Sequence, residues 1–248
     1  MKKPNPVGDL SAVVTGIILA MNFPVTLPLW MGIVGAFISI VLVKQLFGGL
    51  GYNFANPALV GRIALFSGFS SAMTNWKFPA AAVDQLSSAT PLQVADPSAL
   101  NLMDLFLGVH GGVMGETCAL AILIGFVWLV ATKTISPAIP VTYLATVAVM
   151  SLLCGQNVMV QLLSGGLLFG AVFMATDYVT SPFTLKGKIV FGIGLGIITS
   201  AIRFWGNMAE GVSFAILLMN LWVPYINDLT HQVPLGYKKP EKKKEAAK

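Results

Sequence analysis

Residues 116–132 read ETCALAILIGFVWLVAT, a run in which Glu116, at its first position, is the only charged residue. A run of this kind suits a helix that faces hydrocarbon rather than water. Comparable apolar runs recur from one end of the chain to the other. The eight runs comprise residues 10–23, 29–47, 57–69, 116–132, 139–154, 162–176, 189–204 and 209–226.

The composition agrees with a lipid environment. Hydrophobic residues make up 56% of the 248 residues and charged residues 10%, whereas a soluble domain carries about 25% charged residues. The mean hydropathy is +0.79. Because so few charged groups cannot cover a water-facing surface, we predict an all-α integral membrane protein with one membrane domain.

The positive net charge is concentrated at the C-terminus. The formal net charge is +5, and six of the fifteen Lys and Arg residues lie within residues 238–248. A basic tail beside a membrane segment is typical of a cytoplasmic tail that touches anionic lipid. No basic surface with interleaved aromatic residues accompanies it, so we expect membrane lipid and not nucleic acid as a partner.

Several apolar runs are too short to cross a bilayer alone. A full span needs about 20 residues to cross about 30 Å of hydrocarbon, and the run at 10–23 would form a helix of only about 21 Å. Short segments bounded by Pro or Gly are typical of broken helices packed inside a membrane protein. We therefore expect broken helices beside complete spans.

The positions of Lys and Arg predict the orientation. With the C-terminal tail in the cytoplasm and eight crossings counted backward, thirteen of the fifteen basic residues lie inside, and only Lys77 and Arg203 lie outside. This bias predicts that both termini are cytoplasmic. The predicted organisation is an N-terminal stub at 1–9, first-repeat helices at 10–69, an extracytoplasmic loop at 70–115, second-repeat helices at 116–226 and a cytoplasmic basic tail at 227–248.

An internal repeat underlies this division. Residues 10–24 are similar to residues 163–177: each segment starts with Leu-Ser and carries a Met ten residues after that Ser. Each is followed by a long apolar run that ends in a basic, aromatic and glycine-containing stretch. The orientation count gives the two copies opposite directions, which is the inverted repeat of many transporters; chance similarity among apolar helices is the alternative.

The repeat also predicts what the chain lacks. Two further apolar runs precede the second copy, whereas only nine residues precede the first copy. We therefore expect that two N-terminal helices of a symmetric ten-helix fold are absent from this chain.

The most specific motif lies in the predicted extracytoplasmic loop, where residues 84–92 read DQLSSATPL. Its small side chains let another molecule approach the backbone, and the Thr90 hydroxyl becomes a nucleophile once it is deprotonated. No His is paired with it in the sequence, so a separate modifying enzyme is the better explanation of any reaction there. An ordinary turn or helix cap is the structural alternative.

Other polar residues are candidates for function or for an interfacial position. Charged residues near membrane depth suggest function; here they are Asp9, Arg62, Glu116, Asp177, Arg203 and Glu210. Three asparagines, Asn56, Asn207 and Asn220, could line an interior polar path or a ligand site. Cys118 and Cys154 fall within apolar runs and suit small buried hydrophobes. His110 and His231 lack metal-ligand spacing.

The motif and four other stretches resemble a known family. Residues 84–90 match the flavinylation pattern Asp-x-x-(Ser/Thr)-(Gly/Ser)-Ala-Thr, with Ser88 where many members have Gly. Residues 48–62, GGLGYNFANPALVGR, resemble a signature of the RnfD/NqrB family, although Ala55 stands where the family often has Phe. Residues 115–117, 173–182 and 210–220 resemble further family segments in the same order. The short tail and modest length are more similar to RnfD than to NqrB.

The resemblance implies an electron-transfer subunit of an Rnf-type complex in a prokaryotic cytoplasmic (inner) membrane. Such a complex couples electron flow from ferredoxin to NAD to transport of Na⁺ or H⁺, and its other membrane and peripheral subunits would be partners. A channel or solute transporter without redox function is the alternative that the inverted repeat suits equally well, and a structural scaffold is a third.

The resemblance also implies the cofactor. FMN would be joined through its phosphate to Thr90, within a motif that includes Asp84, Ser87, Ser88 and Ala89, by a flavin transferase that uses FAD. A second, non-covalent flavin such as riboflavin is a further expectation, with the three asparagines as candidates to bind it.

Overall fold

The computed structural model describes residues 6–75, 92, 101–206 and 211–231. This part of the chain is helical and contains no strand, which confirms the all-α prediction. After a 3-10 turn at Pro6–Asp9, the α-helices are α1 (Ser11–Met21), α2 (Leu29–Phe37), α3 (Pro57–Gly68), α4 (Ser70–Met73), α5 (Leu102–Leu107), α6 (Ala119–Ala131), α7 (Ala138–Leu153), α8 (Val158–Leu163), α9 (Leu167–Phe169), α10 (Leu185–Trp205) and α11 (Gly211–Leu229). The π-helical segments Ile38–Gln45 and Gly170–Met174 continue α2 and α9.

Helices α10 and α11 are long and apolar enough to cross a membrane by length and composition. The other apolar helices of ten or more residues are shorter: α1, α2 with its π-helical continuation, α3, α6 and α7. Large apolar side chains also cover the outside of the bundle, as on α6, where Val127 and Trp128 are 65% and 70% exposed. This exterior is that of a membrane protein, because such surfaces are unstable in water.

Two helices begin at a residue in the left-handed region. Leu10, which precedes α1, has φ 54°, and Gly166, which precedes α9, has φ 67°. At the second position the predicted run 162–176 is not continuous, because Gly165 and Gly166 both have positive φ and separate α8 from α9. Glycine has no Cβ and adopts this conformation without strain. The expectation of broken helices is therefore met at 164–166, at a point that hydrophobicity did not mark.

The core lies where α7, α10 and α11 surround α9 and its π-helical continuation. Tyr143, Phe191 and Leu195 are among its fully buried side chains. The Tyr143 hydroxyl, which would otherwise be an unpaired polar group among apolar residues, is hydrogen-bonded to the Thr199 hydroxyl of α10. Burial of a polar group in this region is stable because its hydrogen bond is made inside the bundle.

Small residues bring the helix backbones together. A Cβ at Gly192 would overlap the Thr142 hydroxyl, and a Cβ at Gly196 would lie 2.6 Å from the Thr146 Cγ2 atom. These two glycines are four residues apart and so share one face of α10. Close approach over small residues is a main source of helix association in membranes, where the hydrophobic effect is weak.

Some residues differ in burial from what the sequence indicated. Arg62, which the orientation count placed inside the cytoplasm, is in the interior of α3 and only 5% exposed. Cys118 and Cys154 are free thiols that are partly rather than fully buried. The described residues contain no group of three or more His, Cys, Asp and Glu side chains that could hold a metal ion.

The close contact between α10 and α7 gives a direct test of the fold. Gly196→Ala places a methyl group against Thr146, so we expect a loss of about 1–3 kcal/mol, the usual effect of overpacking. Thermal unfolding of the purified protein in detergent measures it. Gly16→Ala is the matched control: nothing lies within 4 Å of a Cβ there, and alanine is the better helix former. Equal stability of the two variants would contradict the packing of α10 on α7.

Candidate functional site

The predicted attachment motif lies outside the described residues. This applies to Asp84, Ser87, Ser88, Ala89 and Thr90, and also to Asn207 and Glu210. Leu92, two positions after Thr90, is described. Two residues of extended chain span at most about 7 Å, so the surroundings of Leu92 are those within reach of Thr90.

Leu92 packs at the start of α9. A Cβ at Gly165 would overlap the Leu92 Cδ1 atom and would lie 2.8 Å from Nη2 of Arg203. Gly165 therefore provides the space in which the Leu92 side chain and the Arg203 guanidinium meet. Any side chain larger than hydrogen at Gly165 would move one of them.

Arg203 holds the backbone before α9. It lies in the last turn of α10, and its guanidinium donates to the carbonyl oxygens of Gln161, Ser164 and Gly165 at 2.8, 3.0 and 2.9 Å, and to the Gln161 side-chain oxygen at 3.2 Å. The planar guanidinium can serve several acceptors at once. It therefore fixes the chain where α8 and α9 are separated.

Glu116 lies at the same place from the other side. Its side chain is buried and accepts a hydrogen bond from the Val113 N–H at 3.2 Å. A Cβ at Gly166 would overlap the Glu116 Oε2 atom. A carboxylate beside the first turn of a helix is favoured by the helix dipole. An acidic and a basic side chain thus flank the start of α9.

The start of α1 has a similar arrangement. Asp9 accepts hydrogen bonds from the Ser11 hydroxyl at 2.6 Å and from the Ser11 N–H at 2.8 Å. These two hydrogen bonds lower the pKa of Asp9, and the bond from the Ser11 hydroxyl has the larger effect. Lys44, at the C-terminal end of the helix formed by α2 and its continuation, is only 3% exposed and donates to the Thr15 hydroxyl at 3.4 Å.

A polar cavity of about 430 Å³ opens beside the start of α1. Its size is within the usual range for small-molecule sites. Its polar lining comprises Asp9, Ser11, Thr15, Lys44, Asn53, Asn56, Thr134, Thr176, Asp177 and Tyr178. Carboxylate, ammonium, hydroxyl and amide groups therefore converge on one space in an otherwise apolar protein.

Asp177 lies in the connection between the π-helical segment Gly170–Met174 and α10. Burial raises its pKa, an effect that the Thr180 hydroxyl, donating at 2.9 Å, only partly offsets. Removal from water disfavours the charged form of a carboxyl group. Asp177 is thus the acidic group of the polar cavity that takes up a proton most readily.

Two of the three predicted asparagines come together. Asn56 caps α3 by accepting from the Ala58 N–H at 3.1 Å, and it donates to the Met174 carbonyl oxygen at 3.3 Å. Asn220 of α11, in the amide orientation that suits its neighbours, accepts from the Asn56 N–H at 3.1 Å and donates to the Thr180 carbonyl oxygen at 3.0 Å. Asn56 lines the polar cavity, and Asn220 supports it from behind.

A second cavity, of about 270 Å³, is almost wholly apolar. Its walls are Ile17, Ile18, Met21, Met114, Gly115, Cys118, Ala121, Ile122, Phe169 and Phe173. Ile18 and Phe173 also line the polar cavity. The two cavities are therefore neighbours with two side chains in common, and we refer to them as the polar cavity and the apolar cavity.

Sequence reasoning missed some of these residues. Lys44, Thr15 and Asn53 line the polar cavity, but none was a candidate. Lys44 could have been predicted, because it is a basic residue at the end of an apolar run. A charged residue buried in a membrane protein suggests function. Thr15 gave no comparable signal, because a hydroxyl group within an apolar run is common. Asn53 lies within the stretch 48–62 that resembles the family, but nothing in that stretch marked it as a cavity residue.

Known proteins of similar sequence bear on this site. The sequence profile of the NQR2, RnfD, RnfE family matches residues 1–236. A subunit of the Na(+)-translocating ferredoxin:NAD(+) oxidoreductase complex of Acetobacterium woodii is 45% identical, over 99% of this chain and 79% of that protein. A subunit of the proton-translocating ferredoxin:NAD(+) oxidoreductase complex of Clostridium ljungdahlii is 38% identical, over 94% and 77%. A subunit of an ion-translocating oxidoreductase complex of Stutzerimonas stutzeri is 38% identical, over 88% and 73%.

The raised pKa of Asp177 predicts a pH dependence of stability. The folded state holds this proton more tightly than the unfolded state, so the contribution is fully present below the ordinary value of 3.8 and is lost as pH rises through the raised pKa. We expect Asp177→Asn to be more stable than the wild type at neutral pH and to lose less stability between acidic and neutral pH. Unfolding temperatures measured across this range test it.

Asp228→Asn is the matched control, because Asp228 is exposed near the end of α11. It should follow the wild-type pH profile. If Asp177→Asn also followed that profile, the burial of Asp177 beside the polar cavity would have no energetic effect.

Proposed function

Because the chain belongs to the NQR2, RnfD, RnfE family, we propose that it is the RnfD component of an Rnf-type complex, which couples ferredoxin:NAD oxidoreduction to ion transport. The observation that carries this proposal is the 45% identity over almost the whole chain to a subunit of such a complex. The chain is thus one subunit of a multi-subunit membrane oxidoreductase. One relative is named for Na⁺ and another for protons, so the family leaves the coupling ion open.

The redox cofactor of this subunit is FMN, joined covalently to Thr90. The sequence DQLSSAT at 84–90 keeps each position of the flavinylation pattern. In the reaction with FAD, catalysed by a flavin transferase, the Thr90 oxygen bonds to the phosphorus on the flavin side. The pyrophosphate bond breaks, AMP leaves, and the hydroxyl proton passes to a base of the transferase. Once bound, the flavin supplies the electron transfer that no amino-acid side chain here can perform.

The described surroundings of Leu92 fit such an attachment. The backbone before α9 is held by the Arg203 guanidinium, so the segment on which Leu92 packs is fixed. Arg203 also brings a positive charge to the place where Leu92 packs, and guanidinium groups favour phosphate. Gly165 leaves the space for Leu92 itself.

A second, non-covalent flavin occupies the polar cavity. The volume of about 430 Å³ accommodates a flavin without its nucleotide, such as riboflavin. Asn53 and Asn56 offer amide groups to the polar edge of the ring, and Thr15 and Thr176 offer hydroxyl groups to the ribityl chain. Lys44 and Asp177 place one charge of each sign beside it.

The two sites have a similar arrangement. Each short helix, α1 or α9, starts after a left-handed residue, has a carboxylate at that start, and is approached by a basic residue from the end of the following long helix. The pairs are Asp9 with Lys44, and Glu116 with Arg203. The Lys and Arg count puts the first pair on the cytoplasmic side and the second pair on the extracytoplasmic side. The sites therefore face opposite sides of the cytoplasmic (inner) membrane, with both termini cytoplasmic.

The redox class is favoured over the channel or solute transporter alternative. The inverted repeat suits either class. The three relatives described above are all named as subunits of ion-translocating oxidoreductases, and a transporter without redox function has no use for a flavinylation motif.

Covalent attachment is tested on protein made together with its flavin transferase. Peptide mass spectrometry should find an FMN-sized adduct on the peptide that contains Thr90, and in-gel fluorescence should survive denaturation. Thr90→Ala should abolish both signals, because the only esterified oxygen is removed. Ser88→Gly is the control that should keep them, since the pattern accepts Gly or Ser there. An unmodified Thr90 in mature wild-type protein would refute the covalent flavin.

The second flavin is tested by its release. Acid precipitation of the wild-type protein should free about one non-covalent flavin per chain. Asn53→Ala should retain this flavin about tenfold less tightly, the effect of losing roughly one hydrogen bond. Asn53 suits the test because it caps no helix; its amide donates to the Ala55 carbonyl oxygen at 3.1 Å.

Asn157→Ala is the matched control, because Asn157 caps α8 and does not line the polar cavity. It should retain the flavin. Equal flavin content in the wild type, Asn53→Ala and Asn157→Ala would show that the flavin is bound elsewhere.

A further inference from the structure

Lys44 is buried with little compensation for its charge. It lies in the π-helical segment Ile38–Gln45 and is only 3% exposed. Within the described part of the chain, its ammonium donates one hydrogen bond, to the Thr15 hydroxyl, over 3.4 Å. This distance is long for a hydrogen bond, and an ammonium group has three N–H donors. Donors of Lys44 therefore remain for a ligand of the polar cavity, which Lys44 lines.

The two carboxylates that attract Lys44 are hydrogen-bonded elsewhere. Asp9 and Asp177 act on the ammonium electrostatically and line the polar cavity with it. Asp9, however, accepts its hydrogen bonds from Ser11 at 2.6 and 2.8 Å, and Asp177 accepts one from the Thr180 hydroxyl at 2.9 Å. Burial of a charge without a close partner is costly, and a buried charge in a membrane protein suggests function.

The chain after Lys44 turns back toward the polar cavity. The Gly49 N–H donates to the Lys44 carbonyl oxygen at 2.9 Å, so the turn begins where the helix ends. Gly48 and Gly49 have φ 121° and 93°, a conformation that glycine adopts without strain. Lys44, before the turn, and Asn53, after it, thus line the same cavity.

Arg203 has a comparable place at the end of α10, but its charge is used differently. Its guanidinium donates to three backbone carbonyl oxygens, those of Gln161, Ser164 and Gly165, and so completes the break before α9. Lys44 donates to no backbone carbonyl oxygen within the described residues. The positive charge of Lys44 is therefore not required to complete a helix end.

We propose that Lys44 provides the positive charge that stabilises the reduced form of the flavin in the polar cavity, and so raises the redox potential of that flavin. This inference rests on the proposed function. A flavin that accepts one electron without a proton gains one negative charge, which spreads over N1 and the C2 carbonyl at the polar edge of the ring. An ammonium group beside this edge stabilises that charge, and the low dielectric constant of the cavity strengthens the attraction.

The acidic residue at the mouth of the cavity has the opposite effect. Asp9 lines the cavity and is exposed, so water and salt screen its charge more strongly than that of the buried Lys44. Lys44 therefore dominates, and removal of each residue's charge should shift the redox potential in opposite directions. A purely structural role of Lys44 in joining α2 to α1 through Thr15 predicts no such pair of shifts.

The experiment measures the redox potential of the non-covalent flavin. Thr90→Ala is the background, so that a covalent flavin does not overlap in the spectrum, and the one-electron midpoint potential is determined by spectroelectrochemistry in detergent. Lys44→Gln keeps N–H donors but removes the charge. We expect it to weaken the one-electron reduction equilibrium by at least about tenfold, a fall of about 59 mV in the potential.

Two control variants accompany it. Lys44→Arg keeps the charge and should keep the potential close to that of the background protein. Lys186→Met removes a charge from an exposed position in the first turn of α10 that does not line the polar cavity, and it should leave the potential unchanged. A fall in Lys186→Met as large as that in Lys44→Gln would overturn the inference, because the effect would then come from net charge alone.

Asp9→Asn keeps the test decisive if Lys44→Gln does not fold or does not retain flavin. Asparagine can replace aspartate as the hydrogen-bond acceptor for Ser11 before a helix, so the start of α1 should be preserved. We expect Asp9→Asn to strengthen the reduction equilibrium by about threefold, a smaller effect because this charge is screened. An unchanged or lowered potential would contradict control of the flavin by the charges of the cavity.

The outcomes separate this inference from the proposed function. If acid precipitation of the Thr90→Ala protein releases no flavin, the second flavin of the proposed function fails. If flavin is released, and Asn53→Ala weakens its retention, but the potential is the same with Lys44 and with Gln at position 44, the proposed site stands and only the role of Lys44 is refuted.

Discussion

Every backbone N–H and C=O group inside a bilayer must find its partner within the protein. A continuous helix meets this requirement by itself, but a helix that begins or ends within the bundle leaves up to four such groups open at each end. The short helices α1 and α9 are of this kind, and much of the polar chemistry of the bundle is located at their ends. Arg203 donates hydrogen bonds to three carbonyl oxygens before α9. Asn56 donates a hydrogen bond to the Met174 carbonyl oxygen, where the π-helical continuation of α9 ends.

The same requirement explains why buried charges occur in so apolar a protein. Arg62 donates from the middle of α3 to the side-chain oxygen of Asn22, which follows the last turn of α1. Asn22 in turn donates to the Ile18 carbonyl oxygen at 2.6 Å. A polar group that completes a broken helix is also a polar group that a ligand can use. The ends of α1 and α9 are therefore where a membrane protein of this composition can hold a polar cofactor.

The sequence predicted the helices well because hydrophobicity sets their extent. Runs such as 57–69 and 139–154 correspond to α3 and α7 with each end shifted by at most one residue. It did not predict the break at 164–166, since Leu-Ser-Gly-Gly remains apolar enough to continue a run and only backbone conformation reveals the separation. The short helices α5 and α8 were missed because six residues give little periodic signal. The internal repeat remains a prediction from the sequence pattern, and the membrane orientation remains a prediction from the positions of Lys and Arg.

For the site, the sequence supplied the proposed attachment motif but not its surroundings. Sequence proximity cannot show that Leu92 meets Gly165, or that Lys44 lies beside Thr15, because these contacts join distant parts of the chain. These contacts also show how the two cavities are related. Ile18 and Phe173 line both of them, and both side chains are apolar and offer no hydrogen bonds to a chain of water molecules between the cavities. A hydrated ion that crossed from one cavity to the other at these two side chains would lose its water contacts without replacement.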